Sequence, residues 1–232
     1  MRPIFITCFQ TVVSIQLILF VSPVVWGQAE ATSKAVSQPT KVDDYTSKAE
    51  KWVSELELKE VSQKERVRGV IAEHLKAIDL WYREHPATLV PEGINPVTGK
   101  KLSELDRKMI VDSAIPSSVH ENLMSGLRAN LEAVQVEQIL DQYTVGKVDF
   151  TMKGYRAIVP DLTPDEEKTI LGFLKEAREM AVDYKSMKEI SAIFEIYKTK
   201  SEQHLIANGR NWRALYKAYV DSVQAAKKKG SK

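Results

Sequence analysis

The chain has 232 residues, with 33 Lys+Arg against 31 Asp+Glu and a formal net charge of +2. Hydrophobic residues at 44% and charged residues at 28% are ordinary for a folded domain, and exclude a wholly disordered chain, a collagen-like repeat and a polytopic membrane protein. The even charge balance argues against a dedicated nucleic-acid binder, which needs an excess of cations to neutralise phosphates.

Residues 1–27 read as an export signal peptide. Arg2 supplies the positive start, an apolar stretch is densest at 15–21, Pro23 breaks any helix, and Gly27 and Ala29 offer small residues for cleavage. The alternative is an uncleaved membrane anchor, which Gln10, Ser14 and Gln16 disfavour by interrupting the apolar run. Cleavage near Gly27 or Ala29 predicts a secreted or periplasmic protein with no stable membrane span. The single cysteine, Cys8, lies inside that segment, so the mature chain has no thiol, disulfide or thiolate metal site. Residues 28–41, rich in Ala, Ser, Thr, Lys and Gln, predict a flexible lead-in.

From residue 42 the pattern is helical nearly throughout. A short helix is expected over 47–58 with Trp52, Val53 and Leu56 inward. Ser62 with Glu65 has capping-box spacing, and Val67, Val70, Ile71, His74, Leu75, Ile78, Trp81 and Tyr82 then share one helical face up to Pro86. Residues 86–102 form a loop punctuated by Pro86, Pro91, Gly93, Pro96 and Gly99, whose Leu89, Val90 and Ile94 suggest packing against the body. A short helix begins at Ser103. A longer one, capped by Ser118 and Glu121, runs to about residue 142 with Val119, Leu123, Leu127, Leu131 and Val134 inward. Val145, Val148 and Phe150 around Gly146 make 143–152 the one place for a short extended segment.

Thr163-Pro164-Asp165-Glu166 is the clearest helix start: Thr163 caps, Pro164 lacks no needed donor, and the acids meet the positive end of the dipole. Ile170, Leu171, Leu174, Ala177 and Ala181 follow as a stripe. Ser186 and Glu189 cap the next helix, with Ile190, Ile193, Phe194, Tyr197 and Leu205 inward and Asn208-Gly209 as its stop. A last helix carries Trp212, Leu215, Tyr216, Tyr219, Val220 and Val223, ahead of a basic tail at 227–232. The expected fold is an all-α, irregular bundle of about seven helices. It forms a single helical domain over 42–226, with two helical lobes meeting near 143–152 as a further option.

No glycine-rich phosphate loop, dinucleotide fingerprint or nucleophile elbow occurs, and no two of the four histidines have the spacing of a zinc-protease helix. The sequence nominates no catalytic residue, metal ligand or cofactor. His74 and His204 lie on apolar faces, as satisfied core histidines do. The most suggestive polar cluster is Glu176-Ala177-Arg178-Glu179 with Asp183. Glu179 and Asp183, four residues apart, repel unless a cation intervenes, and Arg178, Lys198 or Lys200 could serve if the two last long helices are antiparallel neighbours. The cluster reads either as a polar binding pocket or as a solvated face with ordinary salt bridges.

From about Val136 to Leu205 the chain carries Val136-Glu137, Asp141, Thr144, Thr151, Lys153, Tyr155, Pro160, Leu162-Thr163 and Glu166. After these come Glu176-Ala177-Arg178-Glu179, Ala181, Asp183, Ser186, Phe194, Tyr197-Lys198 and Leu205. In this order and spacing it resembles a secreted bacterial family, the domain of unknown function numbered thirty-eight twenty-six. Its members are described as sugar-binding and often accompany polysaccharide degradation. The match departs after Tyr197-Lys198, where Thr199, Lys200 and Ser201-Glu202-Gln203 replace a glycine, an arginine and an Ile-Asn-Asn run, so the chain looks like a divergent member. The resemblance implies a non-catalytic carbohydrate-binding protein with Tyr155, Glu176, Arg178, Glu179, Asp183, Tyr197, Lys198 and Lys200 as candidate ligand contacts. The alternatives are an envelope module that binds another protein and, third, a polysaccharide hydrolase or lyase.

Overall fold

The computed structural model describes residues 41–230. The expected signal peptide and nearly all of the lead-in lie outside the described residues. The elements are α1 (Lys41–Ser54), α2 (Val61–Glu84), a 3-10 turn (Ala87–Leu89), α3 (Glu104–Asp112), α4 (Ser117–Asn130), α5 (Ala133–Thr144), α6 (Lys147–Ile158), α7 (Pro164–Ala181), α8 (Met187–Ala207) and α9 (Trp212–Gly230). Among the described residues no helix is long and apolar enough to cross a membrane.

The expectation of an all-α fold stands, but about seven helices become nine among the described residues. The long helix expected to reach residue 142 is two. Leu131 turns extended, and Glu132 caps a new helix, its side chain and that of Gln135 each meeting the other's backbone. The new axis buries Val136 and leaves Val134 exposed, reversing the inward choice made from periodicity. The expected extended segment at 143–152 is also helical. Val145 and Gly146 both take left-handed conformations (φ 54° and 65°), and the chain re-enters a helix at once as α6. Val148, Met152 and Tyr155, spaced four and three apart, all bury, and this tertiary gain outweighs the β preference of Val148 and Phe150.

Other boundaries shift for local reasons. α1 begins at Lys41, inside the expected lead-in, and α9 continues through the basic tail to Gly230. Neither Ser62 nor Ser118 caps a helix: α2 starts after Glu60 and α4 after Pro116, without a side-chain cap at either. Ser103, Thr163 and Ser186 do form capping boxes, with Asp106, Glu166 and Glu189. The 86–102 loop is ordered by an Asn95 turn, whose Oδ1 accepts from the Val97 and Thr98 amides, and by an Ile94–Lys101 bridge. Leu89 and Ile94 face solvent rather than packing down.

Two apolar clusters hold the bundle. Trp52, Val53, Val67, Ile71, Leu123, Leu127, Ile139 and Leu140 join α1, α2, α4 and α5. Met152, Tyr155, Ile170, Leu174, Ile193, Phe194 and Leu205 join α6, α7 and α8, with Trp212 and Leu215 of α9 against them. Each large aliphatic side chain so buried contributes about 1.5–3 kcal/mol. The left-handed pair at 145–146 separates the segments that supply them. α7 serves both, because Ala177 and Ala181 face the second cluster while Val182, just past its end, enters the first. Gly126 matters to this packing: a Cβ there would stand 2.7 Å from Val70 Cγ2, so only glycine lets α4 approach α2 this closely.

Candidate functional site

The end of α7 is where polar side chains from three helices converge. The start of that helix is pinned by Glu166, whose Oε1 accepts from Arg210 Nε at 3.0 Å and whose Oε2 accepts from Arg210 Nη2 at 2.9 Å and from the Thr163 amide at 2.9 Å, completing the capping box. The arginine holds the Glu166 carboxyl at about 2, well below its ordinary range. At the far end Asp183 follows Val182 into the space between α2 and α4. His74, one turn beyond Ile71 on the buried face of α2, donates Nε2–H to Asp183 Oδ1 at 2.9 Å. His120, one turn before Leu123 on α4, donates Nδ1–H to Asp183 Oδ2 at 2.8 Å. The Tyr143 hydroxyl, at the end of α5, is the partner of His74 Nδ1 at 3.0 Å.

The resulting chain runs Tyr143–His74–Asp183–His120 from interior to surface. The side chain of His74 is 1% exposed, that of Asp183 13% and that of His120 29%. Burial alone would raise the Asp183 pKa, but the hydrogen bonds from His120 and His74 outweigh it and hold the carboxyl below its usual range. The same bond from Asp183, against some desolvation, raises His120. Burial pushes the Tyr143 hydroxyl far up, so it keeps its proton. Because an ionised carboxylate only accepts, both imidazoles must present N–H to Asp183. That fixes the neutral His120 ring as the Nδ1–H tautomer and leaves the lone pair on Nε2. His120 Nε2 stands 3.8 Å from Glu179 Oε1, and that oxygen accepts from Arg128 Nη2 at 3.0 Å.

His120 lies in a cleft of about 700 Å³ between the end of α3, the start of α4 and the end of α7. Glu176, Glu179 and Asp183 supply carboxylates, Ser113 and Ser117 hydroxyls, and Ile115, Met180 and Tyr184 apolar surface. One wall carries a second acidic feature. Asp112 Oδ1 binds Lys108 Nζ at 2.9 Å, while Asp112 Oδ2 and Glu189 Oε1 are both buried with no hydrogen-bond partner among the described residues. Burial, reinforced by the neighbouring Glu189 carboxylate, raises Asp112 to about 7.

The residues nominated from sequence do not converge. Glu176, Glu179 and Asp183 face the cleft. Arg178 points to the other side of α7, where it bonds Asp141 Oδ1 and Glu137 Oε2 at 2.8 Å each. The group that stands between Glu179 and Asp183 is thus neither Arg178 nor a lysine of α8 but the His120 ring, with Arg128 on Glu179. Tyr155 is buried and donates its hydroxyl to the Lys198 carbonyl at 3.1 Å. Lys198 pairs with Glu195, and Lys200 Nζ sits 4.2 Å above the Tyr197 ring. His74, His120, Tyr143 and Asp112 were not nominated. Asp183 lies 109 residues from His74 and 63 from His120, so no local spacing could join them.

Residues 42–225 match the model of a family described as protein of unknown function, DUF3826. No curated protein matches the chain.

Proposed function

This chain belongs to the DUF3826 family, and we propose that it binds neutral carbohydrate in the cleft between α3, α4 and α7. The observation that supports this reading is the lining itself. Glu176 and Glu179 offer acceptors for sugar hydroxyls, and Ile115, Met180 and Tyr184 offer surface for the C–H faces of a ring. A volume of about 700 Å³ suits a short oligosaccharide. Three lining carboxylates repel an anionic ligand, which makes a neutral sugar the better fit than a uronate. The family resemblance points the same way, and the expected signal peptide would bring the chain to extracytoplasmic polysaccharide. Of the earlier candidates, Glu176 and Glu179 would contact the ligand, while Asp183 lines the cleft with its oxygens held by His74 and His120. Tyr155, Arg178, Tyr197, Lys198 and Lys200 are engaged in contacts within the bundle.

Calorimetric titration with neutral and acidic oligosaccharides tests the reading. Heat is expected with a neutral oligosaccharide and not with oligogalacturonate. Glu176→Gln should weaken binding by about tenfold, the equivalent of one lost charge-assisted hydrogen bond. Absence of heat with every neutral oligosaccharide overturns it.

A further inference from the structure

We propose that the cleft also hydrolyses its ligand: His120 is the general base that activates water against an acyl ester carried by a neutral carbohydrate. This rests on the binding reading above and extends it from recognition to chemistry.

The geometry is that of an oriented imidazole. Asp183 takes the Nδ1–H of His120 at 2.8 Å, which turns the opposite ring nitrogen toward Glu179 on the cleft wall. Asp183 cannot swing aside, because its other oxygen is held by the buried His74, and His74 is held by Tyr143. A structural ion pair turns all its polar atoms to protein. Here His120 Nε2 makes no hydrogen bond: Glu179 Oε1 stands 3.8 Å from it, outside hydrogen-bond distance, in a cleft large enough for substrate and water. Such a base, positioned by a carboxylate, is what proton removal from water requires.

The choice of an ester follows from the surroundings. The cleft lining contains carboxylates and no lysine or arginine. It therefore cannot neutralise the carboxylate of a uronate, which proton abstraction beside that group would need. Glycoside cleavage calls for a protonated acid at the leaving oxygen, and the one carboxyl here that holds a proton near neutrality, Asp112, is buried against Glu189 rather than presented to a ligand. An ester has an easier leaving group and needs stabilisation chiefly for the oxyanion. The first turn of α4 adjoins the base, its start at Pro116 has no side-chain cap, and Ser117 lies on the cleft wall, so the positive end of the helix meets the developing charge.

The step balances without oxidant or metal. Neutral His120 Nε2 takes a proton from water as the water oxygen bonds to the acyl carbon and the carbonyl electrons move onto oxygen. The tetrahedral species then collapses, the bond from carbon to the sugar oxygen breaks, and the imidazolium returns its proton to that oxygen. Ester and water become carboxylic acid and alcohol. Because Asp183 raises His120, the rate should climb with pH through a value above that of an ordinary histidine.

The test follows acetate release from an O-acetylated xylo-oligosaccharide by the full-length protein, alongside calorimetry with the deacetylated sugar. Wild type is expected to release acetate. His120→Ala should lose about 100-fold in kcat and regain rate on addition of free imidazole, a response that loss of a purely structural contact would not give. His120→Gln, with its melting temperature measured, guards against a misfolded alanine variant. Binding of the deacetylated sugar without acetate release overturns the hydrolytic proposal and leaves the binding site standing. Equal rates in wild type and His120→Gln also overturn it. Failure of both binding and release removes the two together.

Discussion

Arg178 shows how the structure changes the meaning of a sequence candidate. Its side chain is 3% exposed and bridges Glu137 and Asp141, which stand one turn apart on α5. Each charge-assisted bond is worth about 1.5–3 kcal/mol net. Removing one partner of a buried ion pair costs roughly 3–5 kcal/mol when the other is left stranded. Here both carboxylates are more than a third exposed and regain water, and Glu137 keeps Lys175 at 2.8 Å, so the cost sits below that range. Arg178 Nε is buried with no partner among the described residues, which further reduces what the arginine contributes. Arg178→Ala should therefore destabilise by about 2–3 kcal/mol, while Arg178→Met, which keeps the packed stem, should lose about half as much. Urea unfolding followed by circular dichroism reads both, with the midpoint moving and the slope unchanged. Ligand affinity of the folded fraction should not change. A fully stable Arg178→Ala that no longer binds sugar would refute this reasoning and restore Arg178 to the binding surface.

Two further outcomes follow from buried carboxyls. Asp112 holds its proton to about 7 in the fold against an ordinary 3.8, so the stability tied to that proton is complete below about 3.8 and is lost as pH rises through 7. Asp112→Asn removes this loss, and thermal melts should show the variant gaining on wild type between pH 5 and pH 8; parallel curves would deny that burial raises Asp112. Glu166 is shifted the other way, to about 2 from an ordinary 4.5, so its contribution is present above 4.5 and is lost as pH falls toward 2. Arg210→Ala strands this buried carboxylate, and should lower the melting temperature at pH 7 and flatten the acid limb; an unchanged acid limb would mean Arg210 does not hold Glu166.

The parts of the fold legible in the sequence are those decided by local chemistry. Thr163-Pro164 and Ser186 announce their helices because capping boxes are contained within four residues. The α2 and α8 stripes are read correctly because each buries one continuous face. The failures are tertiary. Nothing near Leu131 signals a break, since Glu132 is an uncommon cap and the new axis is chosen by burial of Val136. Val148 and Phe150 become helical because Met152 and Tyr155 must reach the second cluster. The candidate site was half legible. Glu179 and Asp183 stood out as a like-charged pair in need of a cation, and that need is real. Its answer, a pair of histidines on α2 and α4, depends on the close approach of those helices at Gly126, which no spacing along the chain encodes.

The most direct test concerns the protons on two rings. Long-range ¹H–¹⁵N correlation spectra of the intact protein, taken above the pH at which His120 titrates, should show Nδ1 protonated and Nε2 bare at His120, and Nε2 protonated at His74. Asp183→Asn should disturb both patterns. A His120 ring carrying its proton on Nε2 would contradict the bond to Asp183, and with it the base that the cleft is held to contain.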